Sequence, residues 1–432
     1  MPVPIICLDD ELRHFAERSR EQFSQPQYQY FVTVLLGLME CEGRRTLTAL
    51  LRKVGQPRSL SGLSRFLSEA PWSQEQLVSS WLTHFRAEMS PLVEAEQEHQ
   101  RKQQPRRRGR PKQPLVTGYV IGDDSTLSKP KGRKREGLGK PHCTTEEKGI
   151  VSHSVVQGLY VLLERRCPLA PHLYRQAKVC AAEGVPFQSK IALMEALIRG
   201  FEPVAGSRTH ILLDSWYCAK RLWRAAGVRD FLITTGLNSN RWLRVPDEAT
   251  CQGWRWHTLS DSATGLSKQD SVQMLWPRGG KIVYVHVVTT SVRKLYRCQV
   301  IIVCTSLDDP ISHARYWASS DLDAEQETLL IHIAARWDIE VLFGDSKEEL
   351  GLDHYQLMSA SAILRFWTLA MLAYVFLEQE QHRLRDTFQR PVTLGEARRE
   401  IQRRHRRGLL AWLHHQFLAG VHPESLFDLF AA

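Results

Sequence analysis

The order of apolar runs along this chain predicts an α/β fold built on a mixed sheet, with a helical region ahead of it and a β-rich segment inserted in it. Two apolar runs end alike: Gly118–Asp124 (GYVIGDD) and His210–Asp214 (HILLD) each reach an Asp that is followed by Ser. Around them strand-type and helix-type segments alternate, as an α/β sheet with covering helices requires. Gly149–Leu163 is Val- and Leu-rich, Lys190–Gly200 is amphipathic, Ala219–Ala226 is helical, and Arg229–Thr235 is again strand-like.

Residues 1–100 precede this pattern and read as a helical domain. Tyr30–Glu42, Arg45–Val54 and Gln74–Glu88 carry apolar residues at helical spacing, with breaks at Gly55–Ser59 and near Pro71. Gln56–Ser68 sets Arg58 and Arg65 among small polar residues, a composition suited to a helix that meets phosphates.

Residues 101–115 form a boundary. In Arg101–Pro114 (RKQQPRRRGRPKQP) seven of fourteen residues are Lys or Arg and three are Pro, so the stretch is a linker or arm without core formers. Arg106, Arg107, Arg108 and Arg110 concentrate the charge, and Arg108-Gly109-Arg110-Pro111 resembles the core of an AT-hook, which lies in a narrow minor groove.

Residues 116–237 carry the first part of the α/β pattern. Within it, Lys129–Lys140 (KPKGRKREGLGK) is a Gly- and Lys-rich loop expected to meet phosphates. Residues 238–307 lose the helical signals. Lys281–Thr290 and Leu295–Thr305 are consecutive β-type runs, and Trp242, Trp254, Trp256 and Trp276 stud the region. Residues 308–360 return to the α/β unit with Leu329–Leu352, which reads as one helix, and residues 361–432 are helical and include the basic stretch Arg398–Gly408.

On the Leu329–Leu352 helix, Arg336, Glu340 and Lys347 fall on one face at 100° per residue. That places one carboxylate between two cations. Acids at the C-terminal edge of buried strands sit where α/β sheets build their sites. Asp124, Asp214 and Glu340 are therefore the expected set. Three carboxylates suit hard divalent cations, which can activate an oxygen nucleophile and stabilise a leaving oxygen in phosphodiester displacement. Asp123 adjoins Asp124, and only one of the two can face such a site from a regular strand. Asp124 is chosen because it is followed by Ser, as Asp214 is, and stands two residues before Thr126.

Composition agrees with a nucleic-acid partner. The 432 residues hold 57 Lys and Arg against 47 Asp and Glu, an excess of ten positive charges that suggests a polyanion. The nine cysteines include no CxxC pair, which argues for a reducing compartment and against a disulfide framework or a zinc ribbon. The N-terminus has acids where a signal peptide has basic residues, and the most apolar run, Phe366–Leu377, is too short to span a bilayer. A cytoplasmic, nucleoid-associated protein with no membrane partner is expected.

These residues together resemble the DDE transposases of bacterial insertion sequences. That family's signature on the last helix is Tyr-x2-Arg-x3-Glu-x6-Lys; Arg336, Glu340 and Lys347 stand in register with it, and Ile333 stands where Tyr is expected. Asp124-Ser125-Thr126 is similar to the D-x-T of the first strand, and Leu63–Ser73 (LSRFLSEAPWS) resembles the helical domain of the group named after insertion sequence seven-oh-one. The resemblance implies an RNase H-like sheet flanked by helices, interrupted by a β-rich insertion. It implies two Mg²⁺ ions, replaceable by Mn²⁺, on Asp124, Asp214 and Glu340, with Arg336 and Lys347 contacting DNA. It further implies binding of terminal inverted repeats, cleavage and strand transfer into target DNA, and a homodimer or larger synaptic assembly. A transposase-derived DNA-binding protein without catalysis, and an RNase H-like nuclease without strand transfer, are the alternatives.

Overall fold

A computed structural model describes residues 8–54, 59–103, 116–140, 142–143, 148–264, 266–267, 269–308 and 310–427. The N-terminal region is helical: α1 (Asp10–Glu17), α2 (Gln25–Glu40), α3 (Leu47–Leu51), α4 (Leu60–Ser68) and α5 (Gln74–Gln103). Side-chain caps start several of these, with Asp9, Thr46 and Ser59 accepting from backbone N–H groups of the first turn. The 30-residue α5 continues through Pro91 and is longer than the expected Gln74–Glu88 segment.

The sheet begins with β1 (Val116–Ser128). A short pair, β2 (His142–Cys143) and β3 (Lys148–Gly149), precedes β4 (Ser152–Leu162), β5 (Arg165–Pro168) and β6 (His172–Tyr174). Then come α6 (Ala177–Glu183), α7 (Lys190–Gly200), β7 (Ser207–Leu213), α8 (Lys220–Val228) and β8 (Leu232–Leu237). β4 is antiparallel to β1, whereas β7 and β8 run parallel to it. The central order β5–β4–β1–β7–β8 is that of the mixed sheet expected of an RNase H-like fold.

The segment after β8 holds β9 (Trp242–Pro246), β10 (Trp254–Thr258), α9 (Leu259–Thr264), β11 (Val272–Leu275), β12 (Ile282–Ser291) and β13 (Arg297–Cys304), followed by α10 (Pro310–His313) and β14 (Ala314–Ser319). β9 and β10 pair with each other. β11 to β14 instead extend the central sheet, because β14 pairs antiparallel with β8, giving a ten-stranded sheet among the described residues. The inserted β-type runs β11 to β13 therefore widen the central sheet.

Leu329–Leu352 is two helices where one was expected. α11 (Gln326–Ala335) ends at Arg336, and α12 (Asp338–Glu348) begins after Trp337. The chain closes with α13 (Ala360–Phe388), α14 (Leu394–Leu418) and α15 (Pro423–Phe427). α13 is long and apolar enough to cross a membrane by length and composition, yet 83% of its most apolar window is buried inside the fold. It is the common core element: it packs against α2, α4, α5, α14 and β5. Arg365 donates to the carbonyls of Leu67 and Trp72, tying α13 to the helical region.

The Gly- and Lys-rich loop also departs from its expected role at one residue. Lys129 is buried, its ammonium 3.7 Å from the Tyr355 ring centroid and donating to the Tyr355 carbonyl, so it anchors the stretch between α12 and α13. Lys131, Arg133, Lys134 and Lys140 of the same loop are exposed.

Candidate active site

β1 is a central strand with helices on both faces, and alternate side chains divide between them. On one face Tyr119 meets His332 of α11 edge-on at 5.6 Å, Asp123 meets Arg336 at 3.3 Å, and Ser125 accepts from Lys347 of α12 at 2.8 Å. On the other face, Gly122 lies so close to α7 that an added Cβ would stand 2.4 Å from the Met194 sulfur. Asp124, two residues on, shares that face and accepts from Lys190 of α7 at 2.6 Å. Asp123 therefore faces the helix that carries Glu340, and Asp124 faces away from it. Asp124, the residue chosen from the sequence, lies on the opposite face, beside Lys190 and Tyr217.

The neighbouring strand agrees. β1 and β7 are paired in parallel up to Gly122 and Leu213, so the next residues, Asp123 and Asp214, come side by side where β7 ends, while β1 runs on past the expected end at Asp124 to Ser128. Asp214 begins a tight loop. Its Oδ1 accepts the backbone N–H groups of Trp216 at 3.0 Å and Tyr217 at 3.2 Å. That loop packs against β8 at Gly236, where a Cβ would stand 2.7 Å from the Ser215 nitrogen. Asp123 is held similarly, its Oδ1 accepting the Asp124 N–H at 2.8 Å. Each aspartate thus has one oxygen fixed by backbone and the other, Oδ2, left for the site.

Arg336 sits at the break between α11 and α12. Its Nη1 lies 3.3 Å from Asp123 Oδ2 and 3.6 Å from Glu340 Oε1. Glu340 is the most open of the acids, with 42% of its side chain exposed, so it can reorient toward a ligand at small cost. Asp123 and Asp214 are more enclosed. Burial pushes the Asp123 carboxyl up to about 7, reinforced by the charge of Asp214 and opposed by Arg336. Burial likewise raises Asp214, against the hydrogen bonds from Tyr217 and Trp216 and the charge of Arg336.

Among the described residues, no three His, Cys, Asp or Glu side chains are drawn together as a ready metal site. The donor chemistry nevertheless fits a hard divalent cation: carboxylate oxygens from two adjacent strands and one facing helix. Arg336 occupies the electrostatic position of such a cation, compensating Asp123 and Glu340 at once. A cleft of about 520 Å³ opens here, lined by Asp214, Ser215, Asn238, Arg315, Trp317 and Arg336. A second hollow of about 560 Å³ shares Arg315, Trp317 and Arg336 with it and adds Trp276, Trp337 and Lys281.

Sequence reasoning did not single out Tyr217 and Lys190. Tyr217 is fully buried; its hydroxyl donates to Asp124 Oδ1 at 2.9 Å while its backbone N–H holds Asp214. Its place three residues after a strand-end Asp was the available signal. Arg106, Arg107, Arg108 and Arg110 lie outside the described residues.

Asp123 and Asp214 lie side by side on adjacent parallel strands, facing the helix that carries Glu340, and the family profile described as DDE superfamily endonuclease matches residues 20–259. The chain belongs to the DDE superfamily endonucleases. The match runs from just before α2 through Asp123 and Asp214 to the start of the inserted segment, and ends before Glu340. No curated protein matches the chain. Among solved structures it is similar to a piggyBac transposase synaptic complex with hairpin DNA, at 10% identity and a TM-score of 0.42, covering 98% of this chain and 80% of that one.

Proposed function

We propose that this DDE-superfamily endonuclease is a DNA transposase of the bacterial insertion-sequence type, with Asp123, Asp214 and Glu340 as its metal ligands. The observation that supports this most is the gathering of Asp123 and Glu340 about one guanidinium beside Asp214. Carboxylates so placed repel one another unless a cation compensates them. Mg²⁺ ions, or Mn²⁺ in their place, would polarise the scissile phosphate and lower the pKa of the attacking oxygen.

The chain's own residues supply the rest. Backbone N–H groups fix one oxygen of each aspartate and so preset the direction of the other. Arg336 holds the acids in the metal-free state and, once displaced, is in reach of the DNA backbone. Lys347, anchored by Ser125, adds positive charge on the same face. The basic arm and the N-terminal helices would bind the element's terminal inverted repeats, and two or more copies would bring both ends to target DNA. The protein would act in the bacterial cytoplasm, and its Leu63–Ser73 segment favours the group named after insertion sequence seven-oh-one.

Incubation with labelled element ends, a target plasmid and Mg²⁺ tests this reading. Joined end–target products are expected. Nicked ends that never join would reduce the protein to a nuclease, and binding without nicking would make it a DNA-binding derivative.

A further inference from the structure

Between residues 238 and 307, nine Lys or Arg stand against four Asp or Glu, an excess of five in a chain whose total excess is ten. Part of that charge lies away from the carboxylate cleft. The β12–β13 hairpin ends in a turn with Lys294 in the left-handed region (φ 63°), and Arg293, Lys294 and Arg297 are all exposed there. β9 docks on this turn: Leu243 bridges Val292, and the Arg293 N–H donates to the Trp242 carbonyl at 2.9 Å. Arg244, next to Leu243 on β9, is exposed near this turn, its guanidinium 4.2 Å over the Trp254 ring centroid. From α8, the Lys220 ammonium reaches over the Tyr296 ring at 5.1 Å, and Tyr296 stacks on buried Trp223 at 6.5 Å.

Three elements thus bring Lys220, Arg244, Arg293, Lys294 and Arg297 around the hairpin tip. Among the described residues none of the five has a carboxylate partner, whereas Arg255 nearby is paired with Asp247 at 3.2 Å. Like charges gathered without counter-charges raise the local potential and attract a polyanion. Trp242 and Tyr296, 41% and 39% exposed, lie among the cations as flat, amphipathic contacts. Lys220 follows Asp214 by six residues, so the surface adjoins the loop of the candidate active site.

We propose that the β12–β13 tip, β9 and the start of α8 form a second contact surface for the phosphate backbone of duplex DNA, separate from the cleft. It rests on the reading that this chain acts on DNA, and it adds where the duplex beyond the reacting phosphate is held. Backbone contacts of this kind position DNA without reading its sequence, so the surface binds any duplex.

The test is the salt dependence of binding of the full chain to a labelled duplex of arbitrary sequence. The variant R293Q/K294N/R297Q should lower the slope of log K against log salt by about 2 to 3, and weaken binding roughly tenfold or more at low salt. Lys294→Asn is chosen because Asn tolerates the left-handed region. K220Q/R244Q, on different elements, should lower the slope by about 2, with melting temperatures unchanged in both. A control matched to the second variant, K178Q/R208Q, removes the same charge from scattered exposed sites outside the N-terminal region and should leave the slope unchanged. Unchanged slopes in the two surface variants, or an equal loss in the control, overturn the proposal while DNA binding by the wild type stands. A wild type with no affinity for duplex at any salt would instead overturn the reading beneath it.

Discussion

Exchanging the adjacent aspartates one at a time separates catalysis from stability. Asp123→Asn removes the carboxylate whose Oδ2 faces Arg336, and Asp124→Asn removes the one bound to Lys190 and Tyr217. Burial and Asp214 raise Asp123 from 3.8 to about 7. Its ionised form is therefore favoured in the unfolded chain, and stability falls as pH rises from 3.8 through 7. At about 1.36 kcal/mol per unit, the ceiling on that penalty above pH 7 is about 4 kcal/mol, a net figure in which the Arg336 attraction is already included. Asp123→Asn should therefore gain about 1–2 kcal/mol of metal-free stability at pH 8. Asp124→Asn should lose about 2 kcal/mol, because it leaves the mostly enclosed Lys190 ammonium without its charge partner. Activity should move oppositely. Replacing even an outer partner of a ligand costs 10–100-fold, so Asp123→Asn should cost at least about a hundredfold in cleavage and Asp124→Asn within about tenfold. Thermal melting without metal and nicking with Mg²⁺ measure the two effects. Loss of nicking in Asp124→Asn with retention in Asp123→Asn would refute the assignment by strand face.

Three further outcomes follow from individual contacts. Tyr217→Phe removes the hydroxyl that spans to Asp124 but keeps the backbone N–H on Asp214, so nicking should need several-fold more Mg²⁺ with duplex affinity unchanged; an unaltered metal titration would deny Tyr217 a positioning role. Burial lowers His332 to about 4 and holds its edge-on neighbour His210 well below the usual range, so both are neutral in the fold. The unfolded chain takes up protons below pH 6.5 that the folded chain refuses, and stability should decline from there toward pH 4. His332→Gln should flatten that decline in acid-melting curves, and an identical decline would contradict it. Asp338→Asn uncouples Arg166 of β5, at 2.9 Å, and Arg278 of the β11–β12 turn, at 2.6 Å, from a nearly buried acid; a loss of about 3 kcal/mol or more in melting is expected, and a change under about 1 kcal/mol would show the clasp to be idle.

The α/β alternation, the helical start and the strand-end position of Asp214 were legible because apolar periodicity and local turn chemistry report them, whereas β1 runs past Asp124 to Ser128. The side of β1 on which each aspartate lies was not. Helices cover both faces of that strand, so Asp123 and Asp124 are both partly buried and no polar–apolar alternation tells them apart. Pairing decides it, through the register of β1 with β7 and the reach of Arg336 and Lys190. The break at Arg336–Trp337 was hidden for a similar reason. No Pro or Gly marks it, and the apolar spacing of α11 and α12 continues in phase across it. The extension of the sheet by β11 to β14 depends on the pairing of β14 with β8, which is long-range and leaves no local signature. The charge surface on the inserted strands was visible only as composition until β9 and the hairpin turn came together.

The most direct test of the central claim is nicking of labelled duplex in Mg²⁺ by the wild type and by Glu340→Gln. Glu340 comes from a helix beyond the matched family span and is the half-exposed acid that pairs with Arg336. Metal-dependent nicking by the wild type, with at least about a hundredfold loss in the variant at unchanged DNA affinity, is expected. A variant that nicks as fast as the wild type would contradict a site built from Asp123, Asp214 and Glu340.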